Sequence, residues 1–293
     1  MEMIKVTFPD GSVHEFEKGV KILDVAISIS EGFARNVIGA VVNDDVIKGL
    51  SETLKEDCAI KFVKFEDKEG KAIFWHTSSH VMALAIQRLF PDTKFGIGPA
   101  IDNGFYYDLD SEHKFTPEDL EKIEKEMMKI FKEGYSVDRK EVDRDFALKY
   151  FAEKGQDYKI DLIEGFDKDA ELSFYELGDF TDLCRGPHLV DVKKIKAVKL
   201  LSIAGAYWRG SEKNKMLQRI YGITFEKKKD LDEYLEFLED AKQRDHRKIG
   251  KELGIFMISQ NVGAGLPFWL PKGSTIRRVI ERYIVVKEIE CGY

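Results

Sequence analysis

The hydrophobic pattern of the chain changes three times, and these changes limit it to a multidomain α+β architecture. Short strand-like segments dominate residues 1–63, and mixed helical and glycine-rich aromatic segments dominate 64–225. A helical segment covers 226–253, and an apolar region follows at 254–293. A chain of 293 residues is long enough for two or three domains with separate cores. We therefore predict two complete domains, a linking helix and the truncated start of a third domain.

The first region has the pattern of a β-grasp fold. Its strand-like segments lie at 5–8, 13–16, 40–42 and 59–63. The first two segments flank Pro9-Asp10-Gly11-Ser12, a turn sequence with Asp-Gly inside it. A helical segment follows at 22–26. This order predicts a sheet packed on one helix, and we find no catalytic or metal-binding pattern in the region.

The remaining chain alternates between helical and strand-like patterns. Predicted helices lie at 73–90, between Thr116 and Gly134, at 143–154 and at 230–253. Strand-like segments dominate 158–221. A last helix is expected to start near Ser274 or Thr275, and Tyr293 follows too soon for a complete third domain.

Charge and cysteine content exclude some classes of protein. The net charge of −7 argues mildly against nucleic-acid binding, although lysines and arginines are concentrated at 193–199, 213–229 and 244–251. No apolar run approaches the roughly 20 residues of a membrane helix, and the amino-terminal sequence is unlike a signal peptide. Three well-separated cysteines give no disulfide framework. We expect a cytoplasmic protein with no membrane partner.

Two pairs of residues have the spacing of metal or catalytic ligands. His76 and His80 lie four residues apart, on one face of a helix, and Cys184 and His188 repeat that spacing. Three histidines and one cysteine suit tetrahedral zinc. Hydrogen-bonded, partly buried side chains are the alternative, and the spacing alone leaves both open.

Four further residues are candidates for chemistry near these pairs. Asp182 could orient a histidine or accept a proton, and Lys159 could stabilise a developing oxyanion. Tyr106 and Tyr107 could line a pocket or stack on a base. Ordinary surface charges and core aromatic residues are the alternatives.

Several long motifs resemble the bacterial-type threonyl-tRNA synthetases. They include Asp102-Asn-Gly-Phe-Tyr-Tyr-Asp108, Cys184-Arg-Gly-Pro-His188, Ala204-Gly-Ala-Tyr-Trp-Arg-Gly210, Met216-Leu-Gln-Arg-Ile-Tyr-Gly222, Arg244-Asp-His-Arg-Lys-Ile-Gly250 and Pro267-Phe-Trp-Leu-Pro271. The resemblance covers essentially the whole chain. It implies a ubiquitin-like TGS domain at 1–63, a tRNA-editing domain at 64–225, a linker helix at 226–253 and the truncated start of the class II aminoacylation domain at 254–293.

The resemblance also implies an activity and a set of site residues. The editing domain of that family removes serine wrongly attached to threonine tRNA. The implied catalytic residues are His76, His80, Lys159, Asp182, Cys184 and His188, and the implied substrate-binding residues are Tyr106, Tyr107, Arg185 and Gly186. His76 and Lys159 are the leading candidates for water activation and charge stabilisation.

Cofactors and partners follow from the same resemblance. We expect none of the family's cofactors in this segment, because ATP, magnesium and zinc serve the aminoacylation part beyond Tyr293. Zinc at His76, His80, Cys184 and His188 is disfavoured, since the family is thought to use water and hydrogen bonds there. The expected partners are the acceptor end of threonine tRNA and a mischarged serine ester. The parent enzyme is expected to be a homodimer and the segment a monomer.

Two other functions remain open. One is a free-standing alanyl-type trans-editing hydrolase that holds zinc, and the other is a TGS-type regulatory RNA-binding module. The TGS-like start and the class II-like end oppose the first alternative, and the pocket residues oppose the second.

Overall fold

The computed structural model describes residues 2–259, 263 and 265–293. The chain forms two compact units, Met1–Leu231 and Asp232–Tyr293. The predicted α+β class is confirmed. Within the described part of the chain, no helix is both long and apolar enough to cross a membrane.

The start of the first unit is a five-stranded sheet with two helices. Its elements are β1 (Met3–Thr7), β2 (Val13–Glu17), α1 (Ile22–Ile29), α2 (Glu31–Asn36), β3 (Gly39–Val42), β4 (Val46–Gly49) and β5 (Cys58–Val63). The strand order is β2-β1-β5-β3-β4, with β1 and β5 parallel and the other neighbours antiparallel. The sequence prediction omitted β4 and α2.

The sequence explains the turn and the core of this sheet. The Asp10 carboxylate accepts hydrogen bonds from the backbone and hydroxyl of Ser12, which closes the turn between β1 and β2. Ile4 and Val6 alternate inward on β1 and pack with Ile22 and Val25 of α1. Burial of such side chains contributes roughly 1.5–3 kcal/mol each.

The rest of the first unit surrounds one long helix with two sheets. Its elements are α3 (Lys68–Leu89), β6 (Lys94–Phe95), β7 (Ala100–Ile101), β8 (Gly104–Asp110), α4 (Pro117–Glu133), β9 (Asp138–Val142), α5 (Arg144–Glu153), α6 (Asp157–Glu164), β10 (Leu172–Leu177), β11 (Phe180–Leu183), β12 (Ala197–Tyr207) and β13 (Met216–Phe225). One sheet has the order β12-β13-β8-β6, with β7 paired to β8, and the other has the order β11-β10-β9.

Helix α3 is buried on nearly every side. It also begins five residues before the predicted start at Ile73. The Thr77 and Ser78 hydroxyls donate to the backbone carbonyls of Ile73 and Phe74. Because these hydroxyls are satisfied within the helix, a polar segment can be buried at low cost.

Strands dominate 158–221 as predicted, except at the start of that range, where helix α6 lies. Gly155, with φ of 65°, ends the preceding helix, and a new helix begins at Asp157. The Gln156 side chain accepts a hydrogen bond from the Phe95 backbone at 2.8 Å, which holds the start of α6 beside β6. Tertiary contacts therefore outweigh the β-favouring side chains of this short segment.

The second unit consists mainly of helices. Its elements are the main part of α7 (Lys228–Gln243), α8 (His246–Glu252), β14 (Phe256–Ile258), β15 (Pro267–Trp269) and α9 (Pro271–Glu290). The single helix predicted for 230–253 is wrong, because Asp245 caps a new helix by accepting a hydrogen bond from the Arg247 backbone at 2.8 Å. The side chains of Ile276 and Tyr283 on α9 are exposed.

Candidate functional site

Two segments of the first unit bring the predicted histidine and cysteine pairs together. His76 and His80 lie one turn apart on α3, and Cys184 and His188 lie in the loop after β11. One nitrogen of each imidazole and the Cys184 Sγ all lie within 4.8 Å of one another. The Sγ atom is 3.1 Å from Nε2 of His76 and 3.3 Å from Nε2 of His188. We call these four residues the His–Cys cluster.

The shape of the 184–188 loop depends on Gly186. Its φ is 71°, and an added Cβ would lie 2.0 Å from the Tyr175 hydroxyl. The Gly186 N–H donates to Cys184 Sγ at 3.1 Å. A side chain at this position would therefore displace the loop and the thiol together.

Thr77 fixes the orientation of His188. The Thr77 hydroxyl donates its hydrogen to the Ile73 carbonyl at 2.9 Å and accepts the Leu189 N–H at 2.9 Å. Its 3.2 Å contact with Nδ1 of His188 therefore requires a hydrogen on that nitrogen. Nε2 of His188 then carries no hydrogen, and its lone pair faces Cys184.

His76 presents the same kind of lone pair. Its Nε2 faces Cys184, and the imidazole is hydrogen-bonded to the backbone of Pro187, which can only accept because proline has no N–H. Nδ1 of His76 therefore carries the hydrogen. The single thiol hydrogen can satisfy only one of the Nε2 atoms of His76 and His188. The other can accept a hydrogen bond from a water or a hydroxyl group.

Burial keeps the cluster uncharged at neutral pH. Desolvation lowers the pKa of His76 to about 4 and that of His80 to about 3, and it lowers the pKa of His188 well below its ordinary value. Burial, with the nearby Asp182 charge, raises the pKa of the Cys184 thiol to about 12. The cluster therefore holds three neutral imidazoles and a protonated thiol.

A buried ion pair lies behind the cluster. The Lys159 ammonium on α6 forms an ion pair with Asp182, and each side chain is only 3% exposed. The Tyr107 hydroxyl donates to Asp182 Oδ2 at 2.5 Å and accepts from Lys159 Nζ at 3.1 Å. Burial opposes ionisation of Asp182, but Lys159 and His80 outweigh it and hold the pKa of the carboxyl below its ordinary value.

Asp182 links this ion pair to the His–Cys cluster. Its Oδ2 lies 3.3 Å from Nε2 of His80, which favours a hydrogen on that nitrogen because a lone pair would face the carboxylate. Nδ1 of His80 is then a buried lone pair with no hydrogen-bond partner among the described residues. His76 and Cys184 are the partly exposed members of the cluster, so an ester would approach from their side.

Two residues predicted to bind substrate lie outside this arrangement. Tyr106 and Tyr107 point to opposite faces of β8, and the Arg219 guanidinium lies 3.7 Å from the centre of the Tyr106 ring. Arg185 is exposed and lies 5.5 Å from the centre of the Phe166 ring. The roles of Tyr106 and Arg185 stay predictions.

The sequence interpretation missed two residues of the site. Thr77 orients His188, and its place between His76 and His80 could have marked it. The Tyr175 ring lies 4.4 Å from the His188 ring and limits the space at Gly186. We find no sequence signal that separates Tyr175 from ordinary core aromatic residues.

The His–Cys cluster fits zinc in donor type and spacing. Tetrahedral zinc–sulfur and zinc–nitrogen bonds of about 2.3 and 2.0 Å place sulfur and nitrogen roughly 3.5 Å apart. The observed separations of 3.1 and 3.3 Å are slightly shorter. Hydrogen bonds to the remaining imidazole nitrogens are also typical of metal ligands. Zinc held by all four side chains would have no open position, so it would be structural.

Comparisons with known proteins identify the two parts of the first unit. Residues 4–64 match the TGS domain, and residues 172–221 match the threonyl and alanyl tRNA synthetase second additional domain. The chain is 62% identical over 291 residues to threonine–tRNA ligase of Finegoldia magna, a match that covers 99% of this chain. It is 57% identical to the ligase of Clostridioides difficile and 52% identical to threonine–tRNA ligase 1 of Bacillus subtilis, with 99% and 100% of this chain covered. Over nearly its whole length, the chain is thus similar to part of a threonine–tRNA ligase.

The chain spans less than half the length of these relatives. The matches cover 46% of the Finegoldia magna ligase and 45% of each of the other two. The second additional domain model includes Asp182, Cys184 and His188 but not α3 or α6. The site therefore combines residues from inside and outside the matched range.

Proposed function

We propose that this chain hydrolyses the serine ester of threonine tRNA and spares the threonine ester. The observation that supports this proposal is the convergence of His76, Cys184 and His188 beside the Lys159–Asp182 ion pair. The reaction would proceed in cis in the whole protein or in trans. Its partners would be the acceptor end of the tRNA and the mischarged serine ester.

The need for such an activity follows from the similarity of the two amino acids. Serine lacks one methyl group of threonine, and a missing group of that size changes binding by only about 1–3 kcal/mol. Binding in a synthetic site cannot supply higher accuracy. A second pocket that admits serine and excludes threonine by size would supply the remaining discrimination.

The neutral His76 imidazole is the proposed general base. Its Nε2 lone pair lies on the partly exposed side of the cluster. A water hydrogen-bonded there would attack the ester carbonyl and transfer its proton to Nε2. The proton would then pass to the ribose oxygen as the ester bond breaks, so that serine and the free tRNA hydroxyl are the products.

Lys159 and Asp182 have a supporting role in this proposal. The Lys159 ammonium is bound to Asp182 and Tyr107, so its positive charge would act on the developing oxyanion from within the buried interior. Asp182 orients His80 from behind. Gly186 shapes the loop that carries Cys184, and Tyr106 and Arg185 would contact the tRNA end.

We propose that the reaction uses no metal. The Lys159 ammonium lowers the pKa of His76 and His80, but the neighbouring Asp182 carboxylate raises both by more. Zinc held by all four donors would leave no open position for the catalytic water, so the proposed reaction excludes it. If zinc were bound, all four cluster residues would hold it, and its role would be structural.

The remaining proposals concern the whole protein. We propose that it activates threonine with ATP and magnesium, holds a zinc outside this segment, acts in the cytoplasm and forms a homodimer. The segment alone would be a monomer, so a tight dimer at micromolar concentration in sedimentation would contradict that part.

The decisive experiment compares deacylation of threonine tRNA that carries radiolabelled serine or threonine. The 293-residue chain should release serine much faster than threonine, and a His76→Ala variant should release neither above the background. Equal rates for both esters would contradict size discrimination. Preferential release from alanine tRNA would favour the alanyl-type hydrolase, and tRNA binding without hydrolysis would favour a regulatory RNA-binding module.

A further inference from the structure

A turn after β12 holds helix α6 from its outer side. The turn is a single 3₁₀ segment, Trp208–Gly210. The Trp208 indole N–H donates to Asp161 Oδ2 at 2.7 Å, and Arg209 Nε lies 3.0 Å from the same oxygen. An Arg209 Nη2 hydrogen also goes to the Asp161 backbone carbonyl at 2.8 Å. We call Trp208 and Arg209 the α6 clamp.

The clamp is held in a conformation that side chains avoid. Arg209 has φ of 52° and ψ of 25°, which is the left-handed region favoured by glycine. Strained residues of this kind persist where surrounding contacts fix them, and they are concentrated at functional sites. The contacts to both the side chain and the backbone of Asp161 are what hold Arg209 here.

Asp161 and Lys159 lie on opposite sides of α6. Two residues along a helix correspond to about 200° around its axis. Asp161 is half-exposed and faces the clamp, whereas Lys159 is buried against Asp182. Because both residues lie in one turn of α6, a displacement of Asp161 would also move Lys159 relative to the site.

A second contact ties the clamp to strand β8, which carries Tyr107. The Tyr158 ring on α6 lies 4.9 Å from the Trp208 ring, and its hydroxyl donates to Asp110 Oδ2 at 2.8 Å. The Lys215 ammonium, at the end of the same loop, lies 2.7 Å from that oxygen. The clamp, α6 and the end of β8 thus form one connected unit.

We infer that Trp208 and Arg209 are positioning residues that set the Lys159 ammonium against Asp182 by holding α6 at Asp161. This inference rests on the proposed deacylation. The clamp touches none of the His–Cys cluster, so it would act on the rate of the chemical step and not on the binding of the tRNA.

The test uses the whole 293-residue chain with three variants. Trp208→Phe removes one donor and keeps an aromatic ring, and Asp161→Ala removes the carboxylate that both clamp residues contact. Lys213→Ala is the matched control, because Lys213 is an exposed lysine of the same loop. Small displacements of a reacting group can lower a rate by roughly 10²-fold. We expect kcat for serine release to fall about 3- to 10-fold in Trp208→Phe and 10- to 100-fold in Asp161→Ala, with KM unchanged.

A second measurement does not depend on activity. The rate at which acetic anhydride modifies Lys159, followed by mass spectrometry, should rise at least several-fold in Asp161→Ala and stay unchanged in Lys213→Ala. An Arg209→Lys variant, which keeps the charge and one donor, should recover part of the protection relative to Arg209→Ala. If Asp161→Ala does not fold, Trp208→Phe decides the outcome alone.

The outcomes separate this inference from the proposed function. A raised KM with unchanged kcat would overturn it, because the clamp would then contact the tRNA. Unchanged kcat and unchanged Lys159 labelling would also overturn it. If the unaltered chain released no serine but Lys159 labelling still depended on Asp161, the positioning would stand and the proposed reaction would fail.

Discussion

Thr77 Oγ1 lies 3.2 Å from His188 Nδ1, and this contact decides which imidazole nitrogen faces Cys184. The hydroxyl has already given its hydrogen to a backbone carbonyl, so it can only accept from the ring. A residue with no chemistry of its own thus sets the tautomer of a candidate catalytic side chain. Removal of its oxygen is therefore a sharp test of the site.

The Thr77→Val variant should lose both stability and activity. Valine has nearly the shape of threonine but leaves His188 Nδ1 and the Leu189 N–H without their acceptor. Each unsatisfied buried donor costs about 1–3 kcal/mol, so urea unfolding should show a loss within that range or above it. Serine release should slow roughly 10-fold as the tautomer is freed. Thr77→Ser keeps the hydroxyl and is the matched control, so equal loss in both variants would contradict this role.

His76→Ala and Lys159→Ala should have different consequences. His76 is partly exposed, so its loss should slow serine release by roughly 10²-fold or more while the fold is retained. Lys159→Ala leaves the Asp182 carboxylate buried without its partner, which costs about 3–5 kcal/mol. Circular dichroism and urea unfolding would separate the two effects, with His113→Ala as the control for His76.

An unchanged rate in His76→Ala would remove the proposed general base. A fully stable Lys159→Ala protein would show that Asp182 is neutral or rehydrated in the variant. Either result would make His80 the next candidate for the general base, since its Nδ1 has no hydrogen-bond partner among the described residues.

The rate should depend on pH in a direction fixed by burial. His76 acts as a base only when neutral, and its pKa of about 4 keeps it neutral down to pH 5. Serine release, corrected for spontaneous hydrolysis, should thus be nearly constant between pH 6 and 8 and fall as the pH approaches 4. A rate that falls through pH 6.5 would instead indicate a histidine with an ordinary pKa.

The same burial makes stability fall with acid. The unfolded chain binds protons at these histidines near pH 6.5, whereas the folded chain does so only below about pH 4 for His76 and about pH 3 for His80. The free energy of unfolding should therefore be highest above pH 6.5 and should decline toward pH 4, by up to about 1.4 kcal/mol per pH unit for each histidine. Urea unfolding at pH 7.5 and 5.0 measures this loss of unfolding free energy. The loss between the two pH values should be smaller in His80→Phe.

Local sequence signals predicted the features that depend on neighbouring residues. The four-residue spacings placed both pairs of the His–Cys cluster, and the Thr116-Pro117 and Gly134 signals placed α4. The predicted α3 was right in type and late in its start. Each of these depends on residues within about one or two helical turns.

Long-range contacts decided what the sequence could not show. Lys159 is buried because Asp182 lies beside it, 23 positions away in the sequence, and most lysines are solvated. Alternation along β8 requires Tyr106 and Tyr107 to face opposite ways, but only the packing of α3 against the sheet decides which faces inward. The break before α8 depends on the competition between one aspartate cap and a continuing helix.

The last prediction concerns metal, where the donor geometry and the proposed chemistry disagree. The His–Cys cluster has the donors and spacings of a zinc site, but the proposed chemistry needs a water beside His76. Zinc held by all four donors would block that water. We therefore predict less than one zinc per chain in purified protein by elemental mass spectrometry, and unchanged serine release after chelation. A Cys184→Ser variant, which weakens zinc binding but keeps a hydrogen-bond donor, should retain measurable activity. One tightly held zinc per chain, with activity lost on its removal and restored by its return, would overturn the metal-free proposal and favour the alanyl-type hydrolase.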